Sequence, residues 1–223
     1  MTKSQLKRAR AAEHKTERRA AILAAAEALL LRDPSARFAV DEIARRAGLA
    51  KGTVYLYFGS REEVLLAVHD AQMEELFGSL ARTLARPKVG AAAVARAVLG
   101  FLRQRPEFFR LSTSCHGALE ASVSSAVARA HREAVAARLL SIGRRIEILH
   151  PGIRPGEGAT LLKTCYALML GLWQLAASPL RVPGPGSSDC EPAALRINFE
   201  AQLEAALTDL WNAAARRGEA RLA

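Results

Sequence analysis

VDEIARRAGLAKGTVYLYFGSR occupies residues 40–61 and reads as two short helices around a glycine turn. Val40, Ile43, Ala44 and Ala47 fall at the i, i+3, i+4, i+7 spacing, one face of a helix over residues 40–47. Gly48 stands where the chain must leave that helix, in a left-handed conformation that glycine adopts at little cost. Leu49 is apolar and plugs the gap between the helices. A second helix is predicted over residues 51–58, with Val54 and Phe58 facing inward at i, i+4. Ala44 matters for its size. Two helices that cross steeply over a short turn approach closely, and a methyl group permits it. A small residue, then glycine four later, then an apolar residue six after that is helix-turn-helix spacing.

With Val54 and Phe58 turned inward, Lys51, Thr53, Tyr55 and Tyr57 face outward or to the sides. Hydroxyls and an ammonium suit phosphates and base edges. Gly52 admits close backbone approach near the helix N-terminus, where free N–H groups favour an anion. Arg61, just past the turn, is placed for another phosphate, and Arg45 is counted with the DNA-binding set. The plain alternative is a helical hairpin whose tyrosines are half-buried in a core. The bare pattern does not separate the two.

The longer stretch AVDEIARRAGLAKGTVYLYFGSREEVLLAV, residues 39–68, resembles the N-terminal DNA-binding domain of the TetR-type transcriptional regulators. Ile43, Ala44, Ala47, Gly48, Lys51, Gly52, Thr53, Tyr55, Tyr57, Phe58, Ser60 and the run 62–65 carry the resemblance. It covers about residues 15–70 closely; beyond that only length and helical pattern agree. The resemblance implies that Lys51, Gly52, Thr53, Tyr55, Tyr57 and Arg61 face an operator. It also implies dimerisation through a four-helix bundle. The chain departs from the family at Ala39 and Ala50, where Ser or Thr often precedes each helix of the pair. An alanine there removes a side-chain cap, at a cost of roughly 0.5–2 kcal/mol per helix, and removes a candidate phosphate contact. Asp41 partly compensates through the helix dipole.

The whole chain fits that setting. Its 223 residues are half hydrophobic, with the excess in Ala and Leu, and no alternating strand pattern appears. Lys and Arg outnumber Asp and Glu by 32 to 22, for a net charge of +10. Such a balance fits a nucleic-acid partner or an acidic surface without specifying either. Residues 1–20 carry seven basic residues against two acidic ones. Cys115, Cys165 and Cys190 are widely spaced and form no CxxC, which points to a reducing compartment. The longest apolar run, residues 165–173, is too short for a bilayer. With a charged beginning and no apolar leader, the chain is expected to be cytoplasmic, with no membrane partner.

In order, residues 1–14 read as a basic flexible tail or a DNA-contacting arm. A first helix is predicted over residues 16–31, ended by Asp33-Pro34. It braces the helix pair into a three-helix domain, residues 15–60, with Arg18 and Arg19 on a solvated face. Ser60 caps a long connector helix to about residue 85, with Glu62 and Glu63 in its first turn. Five more helices follow, over residues 91–103, 106–114, 119–149, 157–177 and 193–215, with a Pro/Gly-rich loop at 181–192. The expected fold is therefore all-α with about nine helices. A DNA-binding domain is followed by a larger effector-binding and dimerisation domain, residues 61–223.

Helix 157–177 is apolar nearly all round and must be covered on all sides. Its Leu168, Leu172 and Leu175, with Phe199, Leu203, Leu207, Leu210 and Trp211 of the last helix, are the expected homodimer interface. The alternative is that both are core helices of a monomer. Phe101, Phe108, Phe109, Cys115, His116, Tyr166, Met169 and Trp173 lie on segments expected to converge on an effector pocket, mainly apolar with a few polar groups; packing the core is the simpler role for any one of them. Cys115-His116 is the one adjacent Cys/His pair, but neighbours on a helix point about 100° apart and no further ligand stands at metal spacing. No GxGxxG or Walker A pattern occurs. No enzyme activity, metal or cofactor is expected. The partners are a double-stranded operator, a second copy of the chain and a small-molecule effector. A helical ligand-binding or enzyme module with an incidental helix pair, or a non-specific DNA-packaging protein, are the competing classes.

Overall fold

Nine α-helices and one π-helical turn follow one another, with no strand among the described residues. The computed structural model describes residues 3–33, 37–86, 88–177 and 196–222. The helices are α1 (Lys3–Arg32), α2 (Val40–Arg46), α3 (Lys51–Tyr55), α4 (Arg61–Leu84), α5 (Ala91–Gln104), α6 (Phe108–Ser114), α7 (Ser125–Leu149), α8 (Glu157–Ala177) and α9 (Phe199–Leu222). A π-helical turn, Cys115–Leu119, continues α6. The all-helical expectation holds, and α8 has its expected limits.

Several element boundaries differ from expectation, three of them by many residues. The first helix starts at Lys3, not residue 16, so it includes residues 3–14, which were expected as a tail. Ala, Lys, Arg, Gln and Glu dominate there and no Gly or Pro interrupts, so propensity carries the helix where no apolar face exists. The segment expected as one helix over 119–149 is instead the π-turn, a break, and α7. Ser122 and Ser124 divide the two. Ser122 Oγ donates back to the Ala118 carbonyl, and Ser124 Oγ accepts the Val127 N–H, the local competition with helix that serine offers. The last helix is displaced to Phe199–Leu222. The Pro/Gly-rich loop at 181–192 lies outside the described residues.

The chain divides into two compact units, Met1–Met73 with Arg105–Arg132, and Glu74–Gln104 with Glu133–Ala223. α4 and α7 each contribute residues to both units.

In the first unit, Ile22, Ala26 and Leu30 of α1 join Val40, Ile43 and Ala44 of α2, Val54, Phe58, and Val64, Leu65 and Val68 of α4 in one core. Leu111 and Leu119 belong to the same core, so α6 and the π-turn are part of the support under the helix pair. Polar pairs add specificity there. Gln72 Nε2 donates to Glu107 Oε1 at 2.8 Å, His69 Nε2 and Ser112 Oγ share a hydrogen bond of 3.2 Å, and His131 Nδ1 meets Asp70 Oδ1 at 2.8 Å.

In the second unit, α9 packs on α5 and α8. Leu203, Leu207 and Trp211 make the buried stripe of α9. Trp211 Nε1 donates to His150 Nε2 at 3.2 Å. These three residues, expected at a dimer interface, are buried within the single chain. Leu168, Leu172, Phe199 and Leu210 are half-buried, and Leu175 is 65% exposed. α7 and α8 cross at a glycine pair: a Cβ on Gly158 would lie 2.2 Å from the Gly143 carbonyl oxygen. Glu147 Oε1 accepts the Gly156 and Gly158 N–H groups at 2.8 and 3.1 Å, which ties the start of α8 to α7.

Candidate nucleic-acid interface

The helix pair is set by the end of α2. Gly48 takes φ +68°, the Gly48 N–H donates to the Arg45 carbonyl, and the Leu49 N–H donates to the Ala44 carbonyl at 2.9 Å. That is a complete Schellman arrangement, and a left-handed residue at its centre selects glycine. Ala44 is buried and Leu49 packs on the same core, as their sizes required.

α3 is shorter than residues 51–58, ending as regular helix at Tyr55. Helical hydrogen bonding nevertheless continues, with Leu56 N–H to Gly52 O at 3.2 Å and Phe58 N–H to Val54 O at 3.0 Å. Val54 and Phe58 are buried, so the register is the expected one. Lys51 and Gly52 are exposed and Thr53 is half-buried. Tyr55 is 47% exposed. Tyr57 is half-buried against the core, so only part of its ring is offered outward. Leu56, absent from the expected set, is 83% exposed.

Neither α2 nor α3 has a side-chain cap at Ala39 or Ala50. α4 has one. Ser60 Oγ accepts the Glu63 N–H at 3.1 Å and Glu63 Oε2 accepts the Gly59 N–H at 2.7 Å, the reciprocal arrangement of a capping box displaced by one residue.

Lys51 and Arg61 are each paired with a carboxylate. Lys51 Nζ lies 2.9 Å from Asp41 Oδ1, both side chains more than half exposed. The Asp41 carboxylate holds the Lys51 ammonium above its ordinary range, first by hydrogen bonding and then by charge. Asp41 was expected to serve the α2 dipole; its position in the first turn of α2 allows that as well as the Lys51 pair. Arg61 pairs with Glu62 at 2.9 Å. Burial opposes ionisation of Glu62, yet its own N–H, Arg61 and Ser60 outweigh that and keep its carboxyl below the usual range. The Arg19 side chain is exposed, as expected, and its guanidinium lies 5.3 Å over the Phe58 ring, a cation–π contact with the helix pair. Arg45 lines a cleft of about 560 Å³ with Leu29, Arg32, Asp33, Phe38, Glu42 and Arg46.

Known proteins carry the same two parts. Residues 22–68 match the profile described as bacterial regulatory proteins, tetR family. Residues 70–216, well over half the chain, match that described as tetracyclin repressor-like, C-terminal domain. The chain belongs to the TetR family.

Its similarity to curated members is local. The HTH-type transcriptional regulator EthR of Mycobacterium tuberculosis is 48% identical over 54 residues, 24% of this chain and 25% of EthR. EthR of Mycolicibacterium smegmatis is 46% identical over a match of the same length. The match therefore spans about a quarter of those curated relatives. Among solved structures, a protein of unknown function from Rhodococcus sp. RHA1 superposes with a TM-score of 0.59 at 23% identity, covering 88% of this chain and 94% of that one. A TetR family transcription regulator from Marinobacter aquaeolei VT8 gives 0.55 at 20% identity, covering 90% and 97%. At such identities these two establish the shared fold alone. The TetR family is one of regulatory proteins, not of enzymes.

The residues expected around an effector are divided between the units of this TetR-family chain. Phe109 is buried in the first unit, while Phe101, Tyr166, Met169 and Trp173 are in the second, with Phe101 and Met169 buried and Tyr166 and Trp173 half-buried. The side chains of Cys115 and His116 lie outside the described set; their backbone forms the start of the π-turn. Burial pushes the Cys165 thiol of α8 up to about 11, so it is a poor nucleophile. Among the described residues, no group of three or more His, Cys, Asp or Glu could hold a metal ion. Among them, too, no helix is long and apolar enough to cross a membrane.

Sequence reasoning missed Leu56, the Lys51–Asp41 pair and the Arg19–Phe58 contact. The first was legible, since Leu56 stands four residues after Gly52 on the helix side opposite Val54. The other two join residues on separate segments of the chain, and local periodicity carries no signal for them.

Proposed function

We propose that this TetR-family protein is a sequence-specific DNA-binding transcriptional regulator, a ligand-responsive repressor that binds a palindromic operator as a homodimer in the cytoplasm. The observation that carries the proposal is the outward face of α3. Lys51, Gly52, Tyr55 and Leu56 are all exposed on a short helix held by a glycine turn and buried Val54 and Phe58. Lys51 and Arg61 anchor phosphates, and Thr53 and Tyr55 reach base edges. The remaining exposed and half-buried apolar residues of α8 and α9, Leu168, Leu172, Leu175, Phe199 and Leu210, support a dimer face. In the dimer, two recognition helices enter successive major grooves about 34–36 Å apart. A small molecule bound in the C-terminal part favours the wrong separation, acting through α4, which like α7 has residues in both units. Its leverage is limited to its differential affinity for the two states.

Selection of binding sites from a random duplex library by the purified full-length protein, with and without candidate metabolites, tests this. An enriched inverted repeat is the expected result, released by one class of metabolite. Equal binding of all sequences would instead identify a packaging protein, and no binding at all would sink the regulator.

A further inference from the structure

We infer that Leu56 reads sequence, by packing on the 5-methyl group of a thymine in the operator's major groove; the inference rests on the operator-binding reading above. At about 100° per residue, Val54 and Phe58 mark the inward side of α3 and its continuing turn. Gly52 and Leu56 then fall on the opposite side. Lys51 and Tyr55 lie on one flank, and Thr53 and Tyr57 on the other. The hydrogen bonds through Leu56 and Phe58 keep that register beyond Tyr55. Burial agrees with it: Val54 and Phe58 are buried, Thr53 and Tyr57 half-buried, and Leu56 more exposed than Tyr55. The centre line of the face is therefore bare backbone at Gly52, where a methyl group would meet nothing within 4 Å, followed one turn later by leucine.

A solitary exposed leucine is ordinary on a protein surface. On this centre line it has a consequence. Leucine has neither donor nor acceptor, so pressed on a G·C base edge it would bury polar groups and leave them unpaired. The thymine methyl is the apolar group that projects into the major groove, where the other base-edge groups are mainly donors and acceptors. Leu56 thus favours T over C at one position in each half-site, by attraction to the methyl that C lacks.

The test starts from the operator enriched by the full-length protein. Each thymine is replaced in turn by deoxyuridine, which removes only the methyl, and binding is measured by fluorescence anisotropy for the wild type and for Leu56→Ala. The circular dichroism of the variant should be unchanged, since the side chain is exposed. In each half-site, one thymine should show about a three- to tenfold loss with the wild type, the scale of uncovering one methyl group. Leu56→Ala should bind the two forms of that operator equally. No methyl-sensitive thymine in the wild type, or the same sensitivity in Leu56→Ala, overturns the assignment while leaving operator binding intact. A selection that enriches no sequence overturns both.

Discussion

Lys51 is the side chain on which the proposed phosphate-binding role of this surface is most directly tested, because Asp41 shares it. A carboxylate 2.9 Å from the ammonium keeps it charged and oriented, and also competes with any phosphate. Both groups are well exposed, so the pair adds little to stability. Its effect belongs to binding. Lys51→Ala should reduce the slope of log affinity against log salt by about one unit. Asp41→Ala should act oppositely, tightening binding at low salt by removing a repulsive charge from the interface. Anisotropy titrations across salt concentrations measure both. An unchanged slope in Lys51→Ala would place that residue off the DNA. Arg61 is in a similar position, with Glu62 as its partner, and its contribution depends on exchanging that carboxylate for a phosphate.

The helices of the reading pair are held by what packs behind them more than by their own ends. α3 has one regular turn and no side-chain cap, so its stability comes from Val54, Phe58 and the Arg19 guanidinium over that ring. α4, which follows, begins with Ser60 and Glu63 bonded across its first turn. The α7–α8 crossing uses a different device, direct backbone contact between Gly143 and Gly158. Gly158→Ala puts a methyl 2.2 Å from a carbonyl oxygen, where no flexible side chain can yield. The variant should lose roughly 1–3 kcal/mol, the usual range for overpacking, read as a lower urea midpoint of the full-length protein. An unchanged midpoint would mean that the two helices separate at little cost.

At the scale of the molecule, burial divides the apolar residues of α8 and α9 into two groups. Trp211 is core in a single chain, bonded to His150 and packed with Leu207 and Leu203 in the buried stripe. Trp211→Ala should cost about 3–5 kcal/mol, seen as a lower melting temperature at every protein concentration. Leu175, 65% exposed, is free to serve the proposed dimer. Leu175→Glu should leave circular dichroism unchanged and shift sedimentation from dimer to monomer. A Leu175→Glu protein that remains dimeric would move the interface away from this end of α8.

The all-helical class, the turn at Gly48, the inward set Val40, Ile43, Ala44, Val54 and Phe58, and the Ser60 cap were all legible in residue order. Each depends on groups within about two helical turns, where spacing alone dictates which side chains share a face. The occupant of a face was not legible. The 203, 207, 211 stripe of α9 has the same period whether it meets α5 and α8 or a second chain. Nothing in the run 105–132 announces that it supports the helix pair, and no local rule joins Asp41 to Lys51 or Arg19 to Phe58. Periodicity determined that these faces must be covered; only the tertiary packing decided what covers them, because contacts between distant segments depend on how the helices are brought together.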